Sequence, residues 1–561
     1  MLGADFNHPK ADLGYMFNLN RGLEPLTTAT NFPYGVWDVE ASDWWNLEMI
    51  GVYDGKNYYH FRNVPAFIDH IVSDKYRGYR WFAHFGGRYD LNFVFDWLRL
   101  RTDIDVSFYC SGAMVVQMTL RRKGVTVKLC DSYRLLQASL RDLGKAFDVT
   151  HKKTEIDFTA IEYNRQLIEY NEQDCRCLYE VLERFFEETG VMSETFATHA
   201  LRVWRKDFLK ETIWKPRQEV LDFARSSYHG GRVEVFKRTA EHLYAYDVNS
   251  MYPYVMQFPV PVEYIGESHK LLDSHFGFVE ATVLVPEDYI PTLPLRLEKL
   301  FFPCGVIRAI WTSEELIEAE RRGARIQKVH NAHYFESREI FKSYIDKLYA
   351  LKQNATEPTR TIAKLLMNAL YGKFGQNPRK KVYCLERMAP DGAFPILLPD
   401  GVPSGFAYYE RDSRSAYLLP HLAAAITSKA RIHLLSRLDS NCYYCDTDSV
   451  FTALPFDSVS KNLGEWSDVG EGECTFIQPK LYKFNGTWKA KGLNREESID
   501  AFVDGSVNHI IRARSIKEAL TSGKRATAHV TIEKQLRETR PKRAWMSNNQ
   551  DTRPWNIGEL T

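Results

Sequence analysis

The amino-acid sequence predicts a multidomain protein in which an α/β domain is followed by an α+β region. Its 561 residues are too many to share one hydrophobic core. Strand-like and helix-like segments alternate through residues 34–100, which is typical of an α/β layer. Much later, Tyr443–Phe451 runs from apolar residues into Asp446 and Asp448 and back again, as a β-hairpin does. Two differently built regions are therefore expected.

The composition is that of a globular protein and excludes a membrane-spanning one. Hydrophobic residues make up 44% and charged residues 26% of the chain, and no apolar run is long enough to cross a bilayer. The net charge of +1 neither indicates nor excludes a nucleic-acid partner, because carboxylates at metal sites can offset basic grooves. Residues 1–20 lack the apolar core of a secretory signal, and nine cysteines lack disulfide spacing. We therefore expect a cytoplasmic protein.

The first region is expected to alternate strands and helices. Apolar patterning and turn residues predict strands at Gly35–Glu40, Leu47–Tyr53, Tyr58–Phe61 and Arg80–Ala83. Helical patterns are found at residues 66–73, 90–100 and 169–186.

Four carboxylates of this region lie on different elements in a pattern suited to metal binding. Asp38 and Glu40 are two apart on a strand and so point to one face. Asp90 opens a helix behind a Gly-Gly turn, and Tyr170 and Asp174 share a helical face because they are four apart. Converging on two metal ions about 4 Å apart, such groups activate a water against a phosphodiester, and the tyrosine orients that water. The alternative is that these are unrelated surface acids.

A second acidic group is expected in the α+β region. A strand delivers Asp247, Pro253 is expected to end the regular structure, and Asp446 and Asp448 lie at the hairpin turn. Asp446 and Asp448 are so close together that they repel each other unless a cation neutralises them, and Mg²⁺ is usually held by one or two carboxylates together with substrate phosphates. An exposed Asp-Thr-Asp turn without a ligand is the alternative.

A helix over residues 358–372 carries a polar stripe that suits a nucleoside triphosphate. The stripe follows the spacing i, i+4, i+8, i+11 and consists of Arg360, Lys364, Asn368 and Tyr371. The two cations would lie on phosphates and the tyrosine against the nascent base pair, although a polar stripe is more often a solvated face.

Two proline-containing stretches interrupt this region and are expected to be irregular. The first covers residues 259–338 and contains one helix, Ser313–Arg322, and the second covers residues 377–415. A helix over residues 418–438 then leads into the hairpin.

The acidic pattern of the first region resembles the three motifs of a DEDD-type 3′–5′ proofreading exonuclease. The matching motifs are Asp38-x-Glu40, Tyr89-Asp90 and Tyr170-x-x-x-Asp174. The resemblance implies an RNase H-like domain in which Asp38, Glu40 and Asp174 are metal ligands, and in which Asp90 and Tyr170 are further catalytic residues.

Flanking residues extend this resemblance and also depart from it. Ser132 matches a family position that touches single-stranded DNA, and Lys153 matches one that assists cleavage. His84 and Phe85, however, lie where the second motif usually supplies an asparagine.

Motifs of the α+β region resemble, in the same order, those of family B DNA polymerases. They are Tyr228-His229-Gly230-Gly231, Asp247-Val248-Asn249-Ser250-Met251-Tyr252-Pro253, Lys364-x-x-x-Asn368-x-x-Tyr371-Gly372, Tyr444-Cys445-Asp446-Thr447-Asp448-Ser449 and Lys480-Leu481-Tyr482. In the second of these motifs Met251 replaces the usual leucine.

The resemblance implies catalytic and nucleotide-binding roles. Asp247, Asp448 and the Val248 carbonyl would hold two Mg²⁺ ions, or Mn²⁺ in their place, and Asp446 would be an auxiliary acid. Tyr252 would stack under the incoming sugar and exclude a 2′-hydroxyl. The nucleotide-binding residues implied are Tyr252, Arg360, Lys364, Asn368 and Tyr371.

The resemblance also implies DNA contacts. Tyr228, Gly230 and Gly231 would lie between the nuclease and the polymerase, hold the template strand and help to choose between the two activities. Lys480 and Tyr482 would touch the primer strand.

The short chain and its two insertions are similar to the protein-primed DNA polymerases of small phages and linear plasmids. This implies two terminal-protein-region insertions within a palm, fingers and thumb. The domains expected are an exonuclease (1–190), a first part of the palm (191–258), a first insertion (259–335), fingers (336–378), a second insertion (379–417), a second part of the palm (418–514) and a thumb (515–561).

The partners implied are primer-template and single-stranded DNA, deoxynucleoside triphosphates and a priming terminal protein, with the enzyme acting as a monomer in the cytoplasm, of a bacterial host if phage-encoded. Protein-primed replication that is processive and displaces a strand is the function expected. A primer-independent family B polymerase, a nuclease whose polymerase half is inactive, and a non-catalytic DNA-binding replication protein are the alternatives.

Overall fold

The computed structural model describes residues 17–28, 31–42, 45–155, 162–287, 290–413, 415–490, 499–500, 503, 505, 508–534 and 540–560. Most of the stretch 1–20, in which no secretory signal is expected, lies outside the described residues. No helix within the described ranges is both long and apolar enough to cross a membrane.

A ten-stranded sheet organises the first region. Its strands run in the order Phe394–Leu397, Pro403–Asp412, Arg379–Leu385, Asp105–Ser111, Met114–Arg122, Val125–Asp131, Arg80–Ala83, Tyr34–Ala41, Leu47–Tyr53 and Tyr58–Phe61. The strand Arg80–Ala83 pairs in parallel with both of its neighbours, whereas the other pairs are antiparallel. The four predicted strands are confirmed, because each was bounded by turn residues and carried branched or aromatic side chains.

Helices cover this sheet and bring polar side chains to it. They are Val64–Ile71, Asp90–Leu98, Leu140–Ala146 and Arg165–Thr189. The longest begins at Asn164, whose side chain accepts the N–H of Leu167, and it ends at Gly190 in the left-handed conformation. Its buried face packs on the strands Tyr34–Ala41 and Leu47–Tyr53, which sets the position of Asp174.

The second proline-containing stretch is not irregular, and that expectation is wrong. Arg379–Leu385 pairs antiparallel with Asp105–Ser111 and so extends the sheet of the first region. Pro395 lies in the edge strand, and Pro403 is the first residue of the next strand, before its pairing with Arg379–Leu385 begins, which are the two places where a sheet tolerates proline.

A seven-stranded antiparallel sheet forms the centre of the second region. Its order is Val233–Val235, Cys442–Asp446, Ser449–Thr452, Thr239–Val248, Trp466–Gln478, Leu481–Phe484 and Thr487–Ala490. The predicted hairpin is confirmed by the pairing of Asp446 with Ser449. The predicted helix before it is Pro420–Leu435, which is buried on nearly all sides in the largest core cluster.

A four-stranded antiparallel sheet occupies the first proline-containing stretch, so the expectation of irregular structure is wrong there too. Its order is Val260–Ser268, Arg325–Arg338, Phe276–Val285 and Gly305–Thr312. The prolines at 286, 291, 294 and 303 all lie between strands, where they punctuate the sheet without interrupting it. The predicted helix is confirmed as Ser313–Arg321.

The chain after residue 508 makes two separate contacts. The hairpin of Asn508–Ala513 and His529–Lys534, with the helix Ile516–Ser522 between its strands, packs on the helix Asp90–Leu98, where Asp96 accepts the N–H groups of Ala526 and Thr527. The strand pair Ala544–Trp545 and Thr552–Arg553 instead lies on the seven-stranded sheet.

The remaining elements connect these sheets. They are the strands Phe17–Leu23, Ile213–Pro216, Leu295–Arg296 and Leu300–Phe301, the helices Phe196–Asp207, Gln218–Ser226, Met251–Val255, Lys342–Asn354, Thr359–Ala369, Tyr371–Phe374 and Ile557–Leu560, and the 3₁₀ turns Asp74–Tyr76, Ser132–Arg134 and Glu386–Met388.

Candidate functional site

The structure brings Asp38, Glu40 and Asp174 together. One carboxylate oxygen of each lies within 4.8 Å of the other two. The first two residues point to one face of the strand Tyr34–Ala41, and the third comes from the helix Arg165–Thr189. We call these three residues the first carboxylate cluster.

Burial and mutual repulsion make this cluster costly without a cation. Burial, and then the Asp174 charge, raise the pKa of Asp38; burial, and then the Asp38 charge, raise the pKa of Glu40; and burial raises the pKa of Asp174. The Oδ1 atom of Asp174 is buried and has no hydrogen-bond partner among the described residues. Three hard carboxylate ligands this close together, one of them with an unpartnered oxygen, fit Mg²⁺ or Mn²⁺.

Asp90 lies beside the cluster without joining it. Its Oδ1 accepts the backbone N–H of Val39 at 3.0 Å, and burial, together with the Asp38 charge, holds its pKa well above the usual range. Asp90 therefore fixes the strand that carries Asp38 and Glu40 and adds negative charge behind it.

Lys153 and Tyr170 form the other wall of this site. The Lys153 ammonium donates to the Tyr170 hydroxyl at 2.8 Å and pairs with Asp174. Burial alone would lower the pKa of Lys153, but the Asp174 and Asp38 charges hold it above its ordinary value. A protonated lysine is thus kept next to the tyrosine that was predicted to orient a water.

Asn171 also contacts the cluster, and the sequence analysis missed it. This fully buried amide donates to Glu40 at 3.1 Å and to Asp38 at 3.3 Å, and its oxygen accepts the Tyr58 hydroxyl at 2.8 Å. Gly51 makes room for it, because a Cβ there would lie 1.6 Å from the amide oxygen. Asn171 precedes Asp174 by three residues, a spacing that shares a helical face and could have pointed to it.

An open cavity of about 570 Å³ lies over this cluster. His84 and Phe85 are among the residues that line it, together with Asp90, Lys153 and Tyr170. Ser132, by contrast, is 1% exposed and its hydroxyl donates to the Ala83 carbonyl and bonds His84 Nδ1. Its side chain therefore supports His84 instead of lining the cavity.

The second group of carboxylates surrounds the hairpin turn of the seven-stranded sheet. Asp247 pairs with Ser449 across neighbouring strands, and the N–H of Val248 donates to the Asp448 carbonyl at 2.7 Å. Residues 247 and 448 are therefore side by side although about two hundred residues separate them. We call Asp247, Asp446 and Asp448 the second carboxylate cluster.

The members of the second cluster differ in their partners. Lys480 donates to both oxygens of Asp446, at 2.6 and 2.7 Å, and neutralises it. Neither Asp247 nor Asp448 forms an ion pair with any described residue. Burial and the Asp446 charge raise the pKa of Asp247 to about 6, and burial, Asp247 and Asp446 raise that of Asp448 to about 7. A divalent cation between Asp247 and Asp448 would relieve this repulsion.

Close packing around the hairpin turn explains one glycine of the Tyr228–Gly231 motif. A Cβ at Gly231 would lie 2.6 Å from a side-chain carbon of Thr447, whose N–H donates to the Arg232 carbonyl. Gly230 has open space and is exposed, so no steric need for glycine is visible there.

Aromatic and cationic side chains adjoin the second cluster. Tyr252 and Tyr371 stack with ring centroids 4.4 Å apart and an interplanar angle of 20°. Pro253 does not end regular structure as expected; it lies in the first turn of the helix Met251–Val255, where its missing N–H has no partner to lose. The predicted stripe of Arg360, Lys364 and Asn368 is exposed on the helix Thr359–Ala369.

Lys352 is a third cation here that the sequence analysis missed. It lies on the helix Lys342–Asn354, and its ammonium donates to the Ser250 hydroxyl at 3.2 Å. Burial, and then the charges of Lys364 and Arg360, lower its pKa, and the helix Lys342–Asn354 packs against the helix Thr359–Ala369 that carries both of them. A stripe sought on one helix could not include a residue from its neighbour.

The sequence profile of the family described as "DNA polymerase type B, organellar and viral" matches residues 72–170 and 160–393. The chain belongs to the organellar and viral type B DNA polymerases.

Individual members of the type B polymerases are distant in sequence. The probable DNA polymerases of Ascobolus immersus and Neurospora intermedia are each 26% identical, over 73% of this chain and over 41% and 52% of their own lengths. The DNA polymerase of Bacillus phage phi29 is 25% identical, over 65% of this chain and 67% of its own. The chain thus spans about half the length or less of the fungal relatives.

The fold agrees with that of a solved type B polymerase. Phi29 DNA polymerase complexed with primer-template DNA and incoming nucleotide superposes with a TM-score of 0.69, at 17% identity, over 90% of this chain and 99% of that one. The match shows that this chain has the same multidomain fold.

The other motif residues of this type B polymerase frame the second cluster. Buried Arg431 donates to the carbonyls of His229 and Gly230 at 2.7 and 3.0 Å and pairs with Glu315 at 2.8 Å. Tyr228 is half-buried against Gly375, where a Cβ would lie 2.5 Å from its ring. These contacts fix the Tyr228–Gly231 loop at the edge of the site.

The Lys480-x-Tyr482 motif also contacts the hairpin that carries Asp446 and Asp448. Tyr482 packs in an aromatic group with Tyr444, Phe451 and Phe476, at centroid distances of 5.3, 5.5 and 5.6 Å. Lys480 thereby reaches Asp446 from the turn that precedes the strand Leu481–Phe484, which this group holds.

Proposed function

We propose that this chain is a DNA-directed DNA polymerase with a 3′–5′ proofreading exonuclease. The observation that carries the proposal is the adjacency of Asp247 and Asp448, two half-buried carboxylates without a cation partner among the described residues. Lys352 donates to Ser250, three residues after Asp247, and the charges of Lys364 and Arg360 act on Lys352. Such an arrangement suits a triphosphate and the metal that accompanies it.

Each of the two carboxylate clusters would hold divalent metal ions. Asp247, Asp448 and the Val248 carbonyl are the ligands proposed for synthesis, and Asp38, Glu40 and Asp174 those for degradation. When bound, Mg²⁺ or Mn²⁺ lowers the pKa of the attacking hydroxyl or water and neutralises the oxygen that leaves. Asp446 would stay paired with Lys480 as an auxiliary acid.

The side chains around the second cluster would position the nucleotide and the DNA. Arg360, Lys364 and Lys352 bind phosphate oxygens, and Tyr371 lies against the nascent base pair, with Asn368 on the same face. Tyr252, stacked on Tyr371, lies under the sugar and excludes a 2′-hydroxyl. The DNA contacts proposed are those of Tyr228, Gly230, Gly231, Lys480 and Tyr482, whereas buried Ser132 would act only through its hydrogen bond to His84.

The side chains around the first cluster would prepare a water for attack on a phosphodiester. Tyr170 holds that water, and Lys153, hydrogen-bonded to the tyrosine and paired with Asp174, stabilises negative charge there. Asp90 and Asn171 orient the ligands Asp38 and Glu40.

A primer-extension assay tests the proposal. With Mg²⁺, a primer-template and labelled deoxynucleoside triphosphates, the chain should extend the primer, and chelation of the metal should stop both extension and degradation. Binding of DNA without any metal-dependent turnover would contradict the proposal and favour a non-catalytic replication protein.

Loss of Lys352 should weaken nucleotide binding. We expect Lys352→Ala to raise the KM for deoxynucleoside triphosphates by about ten-fold, the effect of removing one charge-assisted hydrogen bond of about 1.5 kcal/mol. Steady-state primer extension at varied nucleotide concentration measures this KM. Lys347→Ala removes the same charge from an exposed position of the same helix and should leave the KM unchanged; equal effects of both would refute the assignment.

Loss of the Asn171 amide should impair degradation and spare synthesis. It donates to Glu40 and Asp38, so Asn171→Ala should lower exonuclease activity by about 10–100-fold, the usual cost of losing a residue that orients metal ligands. A titration of activity against Mg²⁺ should shift to higher concentration. Asn171→Ala with a normal metal optimum would show that the amide does not orient ligands.

Protein priming is the finer proposal. The segments 259–335 and 379–417, which form a separate sheet and an extension of the ten-stranded sheet, are proposed to grip a terminal protein and to enclose DNA for processive strand displacement. The enzyme is proposed to act as a monomer in the cytoplasm. Offering template alone, and then template with candidate proteins, and finding which protein becomes covalently linked to the first nucleotide tests this proposal against primer-independent initiation.

A further inference from the structure

Phe85 is an exposed aromatic residue at the edge of the first carboxylate cluster. It lines the same cavity as Asp38, Glu40 and Asp174 and is 38% exposed. Nothing in the core requires it, since its ring belongs to none of the buried clusters of the described residues. A single exposed ring is common on protein surfaces, but two further features distinguish Phe85.

The backbone of Phe85 is in an unfavourable conformation. Its φ angle is +64°, a region that bulky residues rarely adopt. The turn is imposed by its surroundings: Arg88 donates its N–H to the Phe85 carbonyl at 3.0 Å, and a Cβ at Gly86 or Gly87 would lie 2.7 or 2.3 Å from the nearest atoms. Strain kept at such a position, where glycine or asparagine would be favoured, indicates a function for the side chain.

The ring of Phe85 is held flat on a second ring. Tyr133 stacks on it with centroids 4.0 Å apart and an interplanar angle of 24°, and His84 meets the edges of both rings. His84 is itself fixed by hydrogen bonds to Ser132 and to the Ala138 carbonyl at 3.0 and 2.9 Å. Phe85 and Tyr133 therefore form a fixed two-ring stack, and Phe85 is the member of the stack that lines the cavity over the first carboxylate cluster.

We propose that the Phe85–Tyr133 stack is a platform for one of the last two unpaired bases of a 3′ end that enters the first carboxylate cluster. The proposal rests on the proposed exonuclease function. Stacking on a ring tolerates any base, since every base has a π-face, and it excludes a paired end, whose bases are already stacked on one another. In the position where an asparagine was expected, this chain therefore selects an unpaired end by stacking.

The test compares oligonucleotides that differ by one base. Single-stranded oligonucleotides are prepared intact or with an abasic site at the last or the next-to-last position, and KM and kcat of degradation are measured. The wild-type chain should show a KM about ten-fold higher for one of the abasic substrates, in line with the loss of one base–aromatic stack. Phe85→Ala should degrade intact and abasic substrates with nearly equal KM, and Phe85→Trp should restore the difference.

Two further variants separate this role from a structural one. Phe85→Asn suits the left-handed backbone and should fold at least as stably as the wild type, yet it should lose the preference for the base. Trp97→Ala removes a ring that is also 38% exposed, on the helix Asp90–Leu98, and should keep the preference. A base preference that persists in both Phe85→Ala and Phe85→Asn would overturn the proposal.

A binding measurement without catalysis distinguishes the proposed base platform from the proposed exonuclease activity. In metal-free buffer, the fluorescence of 2-aminopurine at the 3′ end should be quenched by the wild-type chain and several-fold less by Phe85→Ala. Quenching without any degradation in Mg²⁺ would leave the platform in place and refute the exonuclease. Degradation with equal quenching by both proteins would refute the platform alone.

Discussion

Asp448→Ala should abolish DNA synthesis and leave 3′–5′ degradation intact. Asp448 lies in the hairpin turn beside the strand that carries Asp247, and neither residue has a cation partner among the described residues. Burial and its acidic neighbours raise the pKa of Asp448 to about 7. Removing one carboxylate should leave Asp247 unable to hold a metal against a triphosphate. We expect primer extension to fall by at least about 100-fold, the order seen when one electrostatic stabiliser of a transition state is removed.

The measurement pairs two assays on the same protein. Primer extension with a labelled nucleotide reports synthesis, and degradation of a labelled single-stranded oligonucleotide reports the first cluster. Asp468→Ala removes an equal charge from an exposed position of the same sheet and should extend primers normally. An Asp448→Ala protein that still extends primers at the wild-type rate would remove the basis of the proposed polymerase.

Strands and acidic residues could be predicted where local patterns carried the information. Leu47–Tyr53, Tyr58–Phe61 and Arg80–Ala83 have the predicted bounds because alternation and turn residues mark both ends of each strand. The approach of Asp247 to Asp448 was expected from the resemblance of their two motifs to those of family B polymerases, because no local pattern joins segments so far apart in the chain.

The two proline-containing stretches show where such patterns mislead. Prolines were taken as a sign of irregular structure, yet those of residues 259–338 lie between strands, at their ends or, for Pro261, in an edge strand, and these strands pair over long distances in the chain. The pairing of Tyr383 with Phe108 joins segments some 275 residues apart and leaves no local signal. Long-range pairing of this kind is set by tertiary packing and not by propensity.

The missed site residues have a related explanation. Asn171 carries no charge and Lys352 lies outside the stripe of the next helix, so neither stands out before its partners are known. Ser132 shows the opposite case, since its motif position implies contact with DNA whereas its hydroxyl supports His84. A motif thus locates the site better than it assigns each side chain's contact.

Asp38→Ala should have the reverse effect of Asp448→Ala, with degradation lost and synthesis kept. Asp38 contributes one of the three oxygens of the first cluster, and its charge raises the pKa of Glu40. Without it, Glu40 and Asp174 would be too few to hold the metal, and degradation of a single-stranded oligonucleotide should fall by at least about 100-fold. Misincorporated primer ends should then accumulate in the synthesis assay.

The electrostatics of the cluster provide a check that the Asp38 variants are folded. In metal-free buffer near neutral pH, the three carboxylates repel one another, so the isosteric Asp38→Asn should unfold at a temperature no lower than the wild type while losing degradation. Because the folded-state pKa values are raised, this stabilisation should shrink as the pH falls and the carboxylates become protonated in the wild type. Glu48→Ala, on the neighbouring strand, should degrade DNA normally. Loss of both activities in a stably folded Asp38→Asn protein would mean that the two carboxylate clusters do not act as separate sites.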